Sequence, residues 1–503
     1  MTAAVEQTFH LACDLGAESG RVMLGTLQGP RGRMRLALAE LHRFPTGALE
    51  VNGTLRWDFL RIWGSIVEGL RKAGTRGEAV SSISTDSWGV DYVLGKGDEP
   101  MLIAPFHYRD QRTAGGYERV AAKIPLAEVF NETGIQFMLI NAIYQLEADM
   151  RIRPDIIRFA ERMLGVGDQI NWLLSGVAKM EVSMASTFQI YNPRTRTWSE
   201  KIIKALDFPK HIFPELVDSG TVLAALRPAL ATATGLAPET KIVAGCSHDT
   251  GAAVAAVPAA DEGEWAYLSS GTWSLLGIES PVPIINEASR AKNFTNEAGY
   301  GGTTRFLKNI SGLWILQECR RNWIASGKAT ADELSYEKLA ALAADAKPLQ
   351  TLINPADVRF GLVTDMPARI AEYCKETGQA VPANFGATVR CILESLALSY
   401  RRTLGEITAI TGKKPQVLHI VGGGTKNLLL NQLAADATGM TVIAGPVEAT
   451  AAGNVLIQAL ALGRLSNLAE ARAVVRASFP LTTYQPRDAA AWQAAYSRFQ
   501  DLP

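Results

Sequence analysis

Leu11-Ala12-Cys13-Asp14-Leu15-Gly16-Ala17-Glu18-Ser19-Gly20-Arg21-Val22-Met23-Leu24-Gly25 is apolar at both ends and small or polar in its middle, the pattern of a strand, a turn and a strand. The design returns about half a chain later in Ala266-Tyr267-Leu268-Ser269-Ser270-Gly271-Thr272-Trp273-Ser274-Leu275-Leu276-Gly277-Ile278. Gly, Ser and Thr at such a tip let backbone N–H and hydroxyl groups converge on an anion with no Cβ in the way. A single turn of this kind ordinarily only reverses the chain. A pair of them can hold a polyphosphate between two lobes.

Around the two hairpins, short β-rich runs alternate with longer helical ones, the α/β signature. Phe9 to Leu27 reads as the first hairpin, Val80 to Leu94 as strand, turn and strand, and Lys241 to Cys246 as a strand. Val389, Ile392, Leu393, Leu396, Tyr400, Leu404 and Ile407 recur at helical spacing between Gly386 and Thr411, which predicts a core helix without chemistry of its own. At 503 residues the chain exceeds what one core supports, so two domains are expected. The boundary falls between Gly251 and Glu264, where Pro258, Asp261, Glu262 and Gly263 interrupt the apolar pattern. The second hairpin opens the second domain.

Bulk composition excludes several classes. Lys+Arg and Asp+Glu both count 50 with no long single-sign run, so no footprint for nucleic acid or an anionic membrane is present. Met1 to His10 lacks a basic flank before an apolar stretch, and no uncharged apolar run of about 18 residues occurs. A cytoplasmic protein is expected. Cys13, Cys246, Cys319, Cys374 and Cys391 form no C-x-x-C pair, and reduced thiols are the default even for Cys374 and Cys391, which are close in sequence. The six histidines show no metal-ligand spacing.

Four segments carry residues suited to chemistry. Gly245-Cys246-Ser247-His248-Asp249-Thr250-Gly251 is a strand that ends in polar residues before a small-residue helix. Asp249 there is either a base that deprotonates a hydroxyl nucleophile or a helix N-cap. Asp14 either binds Mg²⁺, directly or through water, or caps its turn. Ser84-Thr85-Asp86-Ser87-Trp88-Gly89-Val90-Asp91-Tyr92 sets two acids beside an aromatic and a glycine, a mixture that suits a sugar. His107-Tyr108-Arg109-Asp110-Gln111-Arg112 follows, with Arg109 and Arg112 open to a second reading as surface ion pairs. Val417-Leu418-His419-Ile420-Val421 runs into Gly422-Gly423-Gly424 and a helix, either a seat for a nucleotide or a turn whose glycines allow close packing.

Together these segments resemble the FGGY carbohydrate kinases from about Phe9 to Gln485. The resemblance rests on Asp14 to Arg21, Asp86 to Asp91, Gly134-Ile135-Gln136-Phe137, Ser247 to Thr250, and Tyr267 to Ser274. It continues in Leu307-Lys308-Asn309-Ile310 with Gly312-Leu313-Trp314 and Gln317, in His419 to Gly424, and in Ala444-Gly445-Pro446-Val447-Glu448-Ala449. It implies an α/β fold of two actin-like (ribonuclease H-like) ATPase domains with an interdomain cleft. Residues 1–250 would bind sugar and phosphate and end in the catalytic Asp, and residues 251–503 would bind the nucleotide.

By the same resemblance Asp249 is the catalytic base. Ala17, Glu18, Ser19, Gly20 and Arg21 form the first ATP-phosphate loop, and Thr272 is a second phosphate contact. Asn309, Gln317, Gly422, Gly423 and Gly424 contact the nucleotide, and Gly89, His248, Asp249 and Thr250 contact the sugar. Glu18 stands where some members of the family have serine. A carboxylate facing ATP repels it unless magnesium intervenes, so Glu18 is expected to turn away from the γ-phosphate or to help hold the metal. The implied reaction is Mg²⁺-dependent transfer of the ATP γ-phosphoryl group to the C1 hydroxyl of a ketose, with L-rhamnulose expected and L-fuculose, L-ribulose or xylulose as alternatives. A catalytically silent sugar-binding homologue is the reading from another class. A monomer or homodimer is expected, with neither nucleic acid nor membrane as partner.

Overall fold

A computed structural model describes residues 7–260, 265–361 and 363–503. The opening stretch is a hairpin of two strands, Gln7–Leu15 (β1) and Ser19–Gln28 (β2), which continues antiparallel into Arg35–Pro45 (β3). Parallel to β1 on its other side runs Val80–Ser87, and beyond that Lys241–Ala244, also parallel. Thr221–Ala225 closes this six-stranded sheet antiparallel. From His10 to Leu15 every residue of β1 is buried, as expected for a central strand covered on both faces.

Helices supply that cover. Phe59–Gly74 begins where the Asp58 carboxylate accepts from the Arg61 N–H, and it buries Ile62, Ile66, Leu70 and Ala73 at helical spacing toward β2 and β3. Ala449–Ala461 lies along β1 and Val80–Ser87 although it comes far later in the chain than either. Its Gln458 amide donates to the Leu11 carbonyl at 3.0 Å, and the Ser82 hydroxyl donates to Gln458 Oε1 at 2.6 Å. Gly453 brings it against the helix Asp249–Ala255 so closely that a Cβ would sit 1.8 Å from the Ala252 carbonyl oxygen.

Two compact units result. One comprises Met1–Ala260, Glu279–Phe306 and Ala449–Ser478, the other Asp261–Ile278, Leu307–Glu448 and Phe479–Pro503. This partition differs from the consecutive stretches 1–250 and 251–503, because Gly453 and Gln458 fasten a late helix to the first sheet. Asp261 to Glu264, part of the expected boundary, lie outside the described residues, as do Met1 to Glu6 of the N-terminal stretch. In the second unit Trp265–Ser270 pairs antiparallel with Trp273–Ser280 and parallel with Val417–Val421, which pairs in turn with Thr441–Ala444. The core helix runs from Phe385 to Thr411, capped by the Asn384 side chain and stopped at Gly412, whose φ of 71° is left-handed.

Val80–Ser87 and Tyr92–Gly95 form the expected strand, turn and strand, and the second strand joins Arg162–Gly165 because the chain turns away at Gly89 and Val90, with Val90 at φ 68°. One expectation needs correction: the strand from Lys241 ends at Ala244, two residues before Cys246. All five cysteines are buried free thiols, Cys374 and Cys391 included. Among the described residues no helix is long and apolar enough to cross a membrane.

Candidate active site

The parallel register of the first sheet sets Asp14 directly beside Asp86. One strand further on, Ser87 bridges His248 and its N–H donates to the Ser247 carbonyl at 2.8 Å. Three acids that are distant in sequence, Asp14, Asp86 and Asp249, are thereby set at the carboxyl ends of neighbouring parallel strands, where α/β folds carry their ligands. Arg21, across the hairpin from Asp14, forms an ion pair with it. Asp86 is completely buried, and burial first and the Asp14 charge second push its carboxyl well above the usual range, with Asn454 opposing and Asp249 adding to the rise. Asn454 donates to Asp86 Oδ2 at 2.5 Å, and Oδ1 has no hydrogen-bond partner.

Asp249 differs from the other two. Its side chain is 30% exposed, against 8% for that of Asp14, so a substrate can reach it. His248 holds the N-cap position of the helix Asp249–Ala255, and Asp249 Oδ1 accepts from the Thr250 N–H at 2.5 Å and from the Thr250 hydroxyl at 3.1 Å. The N-cap alternative for Asp249 is therefore not realised. Oδ2 lies outside these bonds.

Buried acids that sequence reading passed over hold this loop. Glu181 accepts from the Ser183 N–H, the Ser247 N–H and the Ser183 and Ser219 hydroxyls, while Asp168 accepts from the Ser247 hydroxyl at 2.8 Å. Burial raises the pKa of both. A second overlooked group surrounds His248. Arg305, fully buried, donates to His248 Nδ1 at 3.1 Å and to the Ala298 carbonyl at 3.2 Å, and pairs with Glu297 at 3.1 Å. The visible signal was a charged residue beside the apolar pair Phe306-Leu307, since a buried charge needs a partner.

Near Gly89 the picture changes. Asp91 accepts from the Trp57 and Trp88 indoles at 2.6 and 3.0 Å, from Gln145 at 2.8 Å and from the Tyr108 N–H at 3.2 Å. Burial pushes its carboxyl up to about 6. Both oxygens are committed, so Asp91 orients an aromatic cluster in place of a sugar. A Cβ on Gly89 would meet Thr187 at 2.9 Å, and the Thr187 hydroxyl accepts from the Val90 N–H at 2.9 Å. Arg112 is no surface ion-pair residue. It is buried, bonding Asp149 at 3.1 Å and Gln145 at 2.7 Å.

The first hairpin tip is tied to the residue that follows β3: the Thr46 hydroxyl donates to the Gly16 carbonyl at 2.6 Å and the Thr46 N–H to the Glu18 carbonyl at 3.2 Å. Glu18 is exposed, and Ala17 and Ser19 are half-buried. In the second unit the tip is Gly271-Thr272, whose carbonyls accept from the Leu313 and Trp314 N–H groups at 3.1 Å each. Gly422, at φ 88°, and Gly424 press on Ser270, with Cβ positions 3.1 Å from its carbonyl oxygen and 2.0 Å from its hydroxyl, whereas Gly423 faces open space. Close packing thus accounts for two glycines and leaves Gly423 free to meet a ligand. Asn309 and Gln317 are half-buried on the strand Thr304–Ser311 and the helix Trp314–Ala325, and Gln317 Oε1 is buried without a hydrogen bond.

Two sheet-containing units with strand-end acids in one and a glycine cradle in the other describe a phosphoryl-transfer enzyme of the actin-like ATPase fold. The fold agrees with solved structures: a ligand-bound xylulose kinase from Lactobacillus acidophilus (TM-score 0.81, 16% identity, 98% of this chain and 97% of that one) and Plasmodium falciparum glycerol kinase with ADP (0.77, 15%, 98% and 98%). The profile of the FGGY family of carbohydrate kinases matches through its N-terminal domain at residues 11–256 and its C-terminal domain at 266–462. The chain belongs to this family and is a sugar kinase. It is 42% identical over 498 residues to a rhamnulokinase from Bacteroides thetaiotaomicron, covering 99% of both chains. It is 37% identical over 481 residues to one from Bacillus subtilis, covering 95% of this chain and 96% of that one.

Proposed function

We propose that the chain transfers the γ-phosphoryl group of ATP to the C1 hydroxyl of L-rhamnulose, giving L-rhamnulose 1-phosphate and ADP. The observation that carries this reading is the accessible Asp249 carboxylate at the strand ends, in a chain 42% identical to a rhamnulokinase along its whole length. Asp249 Oδ2 takes the hydroxyl proton. His248, Thr250 and Gly89 orient the ketose, the amides and hydroxyl of Ala17 to Arg21 together with Thr272 hold the phosphates, and Asn309, Gln317 and Gly422 to Gly424 hold the rest of the nucleotide. The first unit would bind sugar and the second nucleotide.

Phosphoryl transfer passes through a loose transition state, so alignment and charge neutralisation supply most of the acceleration. The orphaned Asp86 oxygen beside Asp14 fits a hard cation with oxygen ligands, and Mg²⁺ would be held by Asp14, directly or through water, to offset phosphate charge. Glu18, exposed on its tip, points away from the γ-phosphate in this reading. A cytoplasmic monomer or homodimer completes it.

ADP release measured with ATP and L-rhamnulose, L-fuculose, L-ribulose and xylulose in parallel tests the assignment, with the phosphorylated carbon located by NMR. The highest kcat/KM is expected for L-rhamnulose, with phosphate on C1. Preference for another ketose would replace the substrate, and no ADP release with any of them would favour a silent sugar-binding protein.

A further inference from the structure

We propose that Arg305, anchored by Glu297, is a positioning residue that fixes the tautomer of His248 and thereby leaves Asp249 Oδ2 as the basic oxygen. The proposal rests on Asp249 being the base. An arginine only donates hydrogen bonds. Its Nη2 lies 3.1 Å from His248 Nδ1, so Nδ1 is the acceptor and the ring proton of neutral His248 resides on Nε2, because each ring nitrogen's role follows from the bond made by the other. Nε2 faces Asp249 Oδ1 at 3.4 Å. Oδ1 already accepts from the N–H and hydroxyl of Thr250. The imidazole N–H adds its positive end to the field at the same oxygen, so Oδ2 is the one left for the substrate proton.

Glu297 makes the arrangement conditional. Its Oε2 is 3.4 Å from the same Nδ1 and 3.1 Å from Arg305 Nη1. While the guanidinium is present it occupies both Nδ1 and the carboxylate. Without it the carboxylate draws the ring proton to Nδ1, and the Nε2 lone pair then opposes Asp249 Oδ1. The His248 backbone N–H is separately tied to the Ser183 hydroxyl at 3.2 Å, so the ring responds while the loop stays in place.

Long-range proton–nitrogen NMR of histidine-labelled full-length enzyme without substrate reads the tautomer directly, with a His248→Gln variant assigning the resonance. The Nε2–H form is expected in the parent chain. Arg305→Met should convert it to the Nδ1–H form and lower kcat about tenfold at unchanged KM for ATP. Adding Glu297→Gln, whose amide can donate to Nδ1, should restore the Nε2–H form and part of kcat, which a merely structural role would not do. The parent spectrum alone decides the matter if Arg305→Met fails to fold: an Nδ1–H parent overturns the proposal. So does a folded Arg305→Met chain with the tautomer unchanged. The spectra do not depend on which ketose is phosphorylated, so failure of the substrate assignment would show only in the ketose panel.

Discussion

The two hairpins look alike in sequence and are supported in opposite ways. In the first unit the tip is held by a side chain, Thr46, and an ion pair, Asp14 with Arg21, stands at its base. In the second the tip is held by backbone against backbone, with Gly312 and Gly424 packed where a Cβ would lie 2.6 Å from the Trp273 carbonyl carbon or 2.0 Å from the Ser270 hydroxyl. Those contacts of Ser270 to Thr272 are made by uncharged groups. One region carries titratable groups, and the other supplies a neutral shape. Charge-altering substitutions should therefore act on turnover and pH response in the first unit. Size-altering ones should act on stability and nucleotide affinity in the second.

The strongest way to break this contrast is Asp249→Asn, expected to lower kcat by roughly 10² or more with ketose binding still measurable by calorimetry, as for loss of a general base. Turnover within a few-fold of the parent would take the base away from Asp249. Next comes His10, whose pKa burial first and Arg464 second push down to about 4. Between that value and its ordinary 6.5 the unfolded chain binds the extra proton, so this group's contribution to stability is lost as pH falls through the window, by about 3 kcal/mol. Urea unfolding at pH 4.5 and 7 should show a shallower acid loss in His10→Gln than in the parent. Comparing variant with parent matters because Asp91, raised to about 6, acts with the opposite sign over much of the same range.

Smaller effects sharpen the comparison from the other side. Gly424→Ala should cost about 2 kcal/mol by overpacking Ser270 and raise KM for ATP while leaving ketose affinity unchanged; chemical denaturation and steady-state kinetics read the two parts. Thr46→Ala removes one hydrogen bond to the Gly16 carbonyl, worth about 1 kcal/mol, and should lower Tm by a few degrees without the steric signature.

Local pattern made the hairpins and the helix Phe385–Thr411 legible, since alternation and a 3.6-residue period are written in adjacent residues. The same logic found the strand, turn and strand of Val80 to Leu94, but it holds no record of the left-handed Val90 that sends the second arm into another sheet. Asp14 and Asp249 were visible because each follows an apolar strand. That Asp86 stands beside Asp14 depends on a parallel register between segments 72 residues apart, which no spacing records. Asp91 and Arg112 carried the right residue types for a sugar site or a surface pair, yet burial among Trp57, Trp88, Gln145 and Asp149 assigns them to packing. Glu181, Asp168, Glu297 and Arg305 escaped notice because their partners lie on other elements, and only the cost of an unpaired buried charge hinted at them.

The contact of Gly453 with Ala252 bears on how the molecule is made. A ribosome has carried synthesis far past β1 before the helix that roofs it emerges, so the nascent first sheet waits with one apolar side uncovered. Long-range closure of this kind is slow and exposes the chain to aggregation. Genes cut after residue 250 should yield insoluble N-terminal fragments, and co-expression of the remaining segment, or chaperone capacity, should govern the yield of folded enzyme.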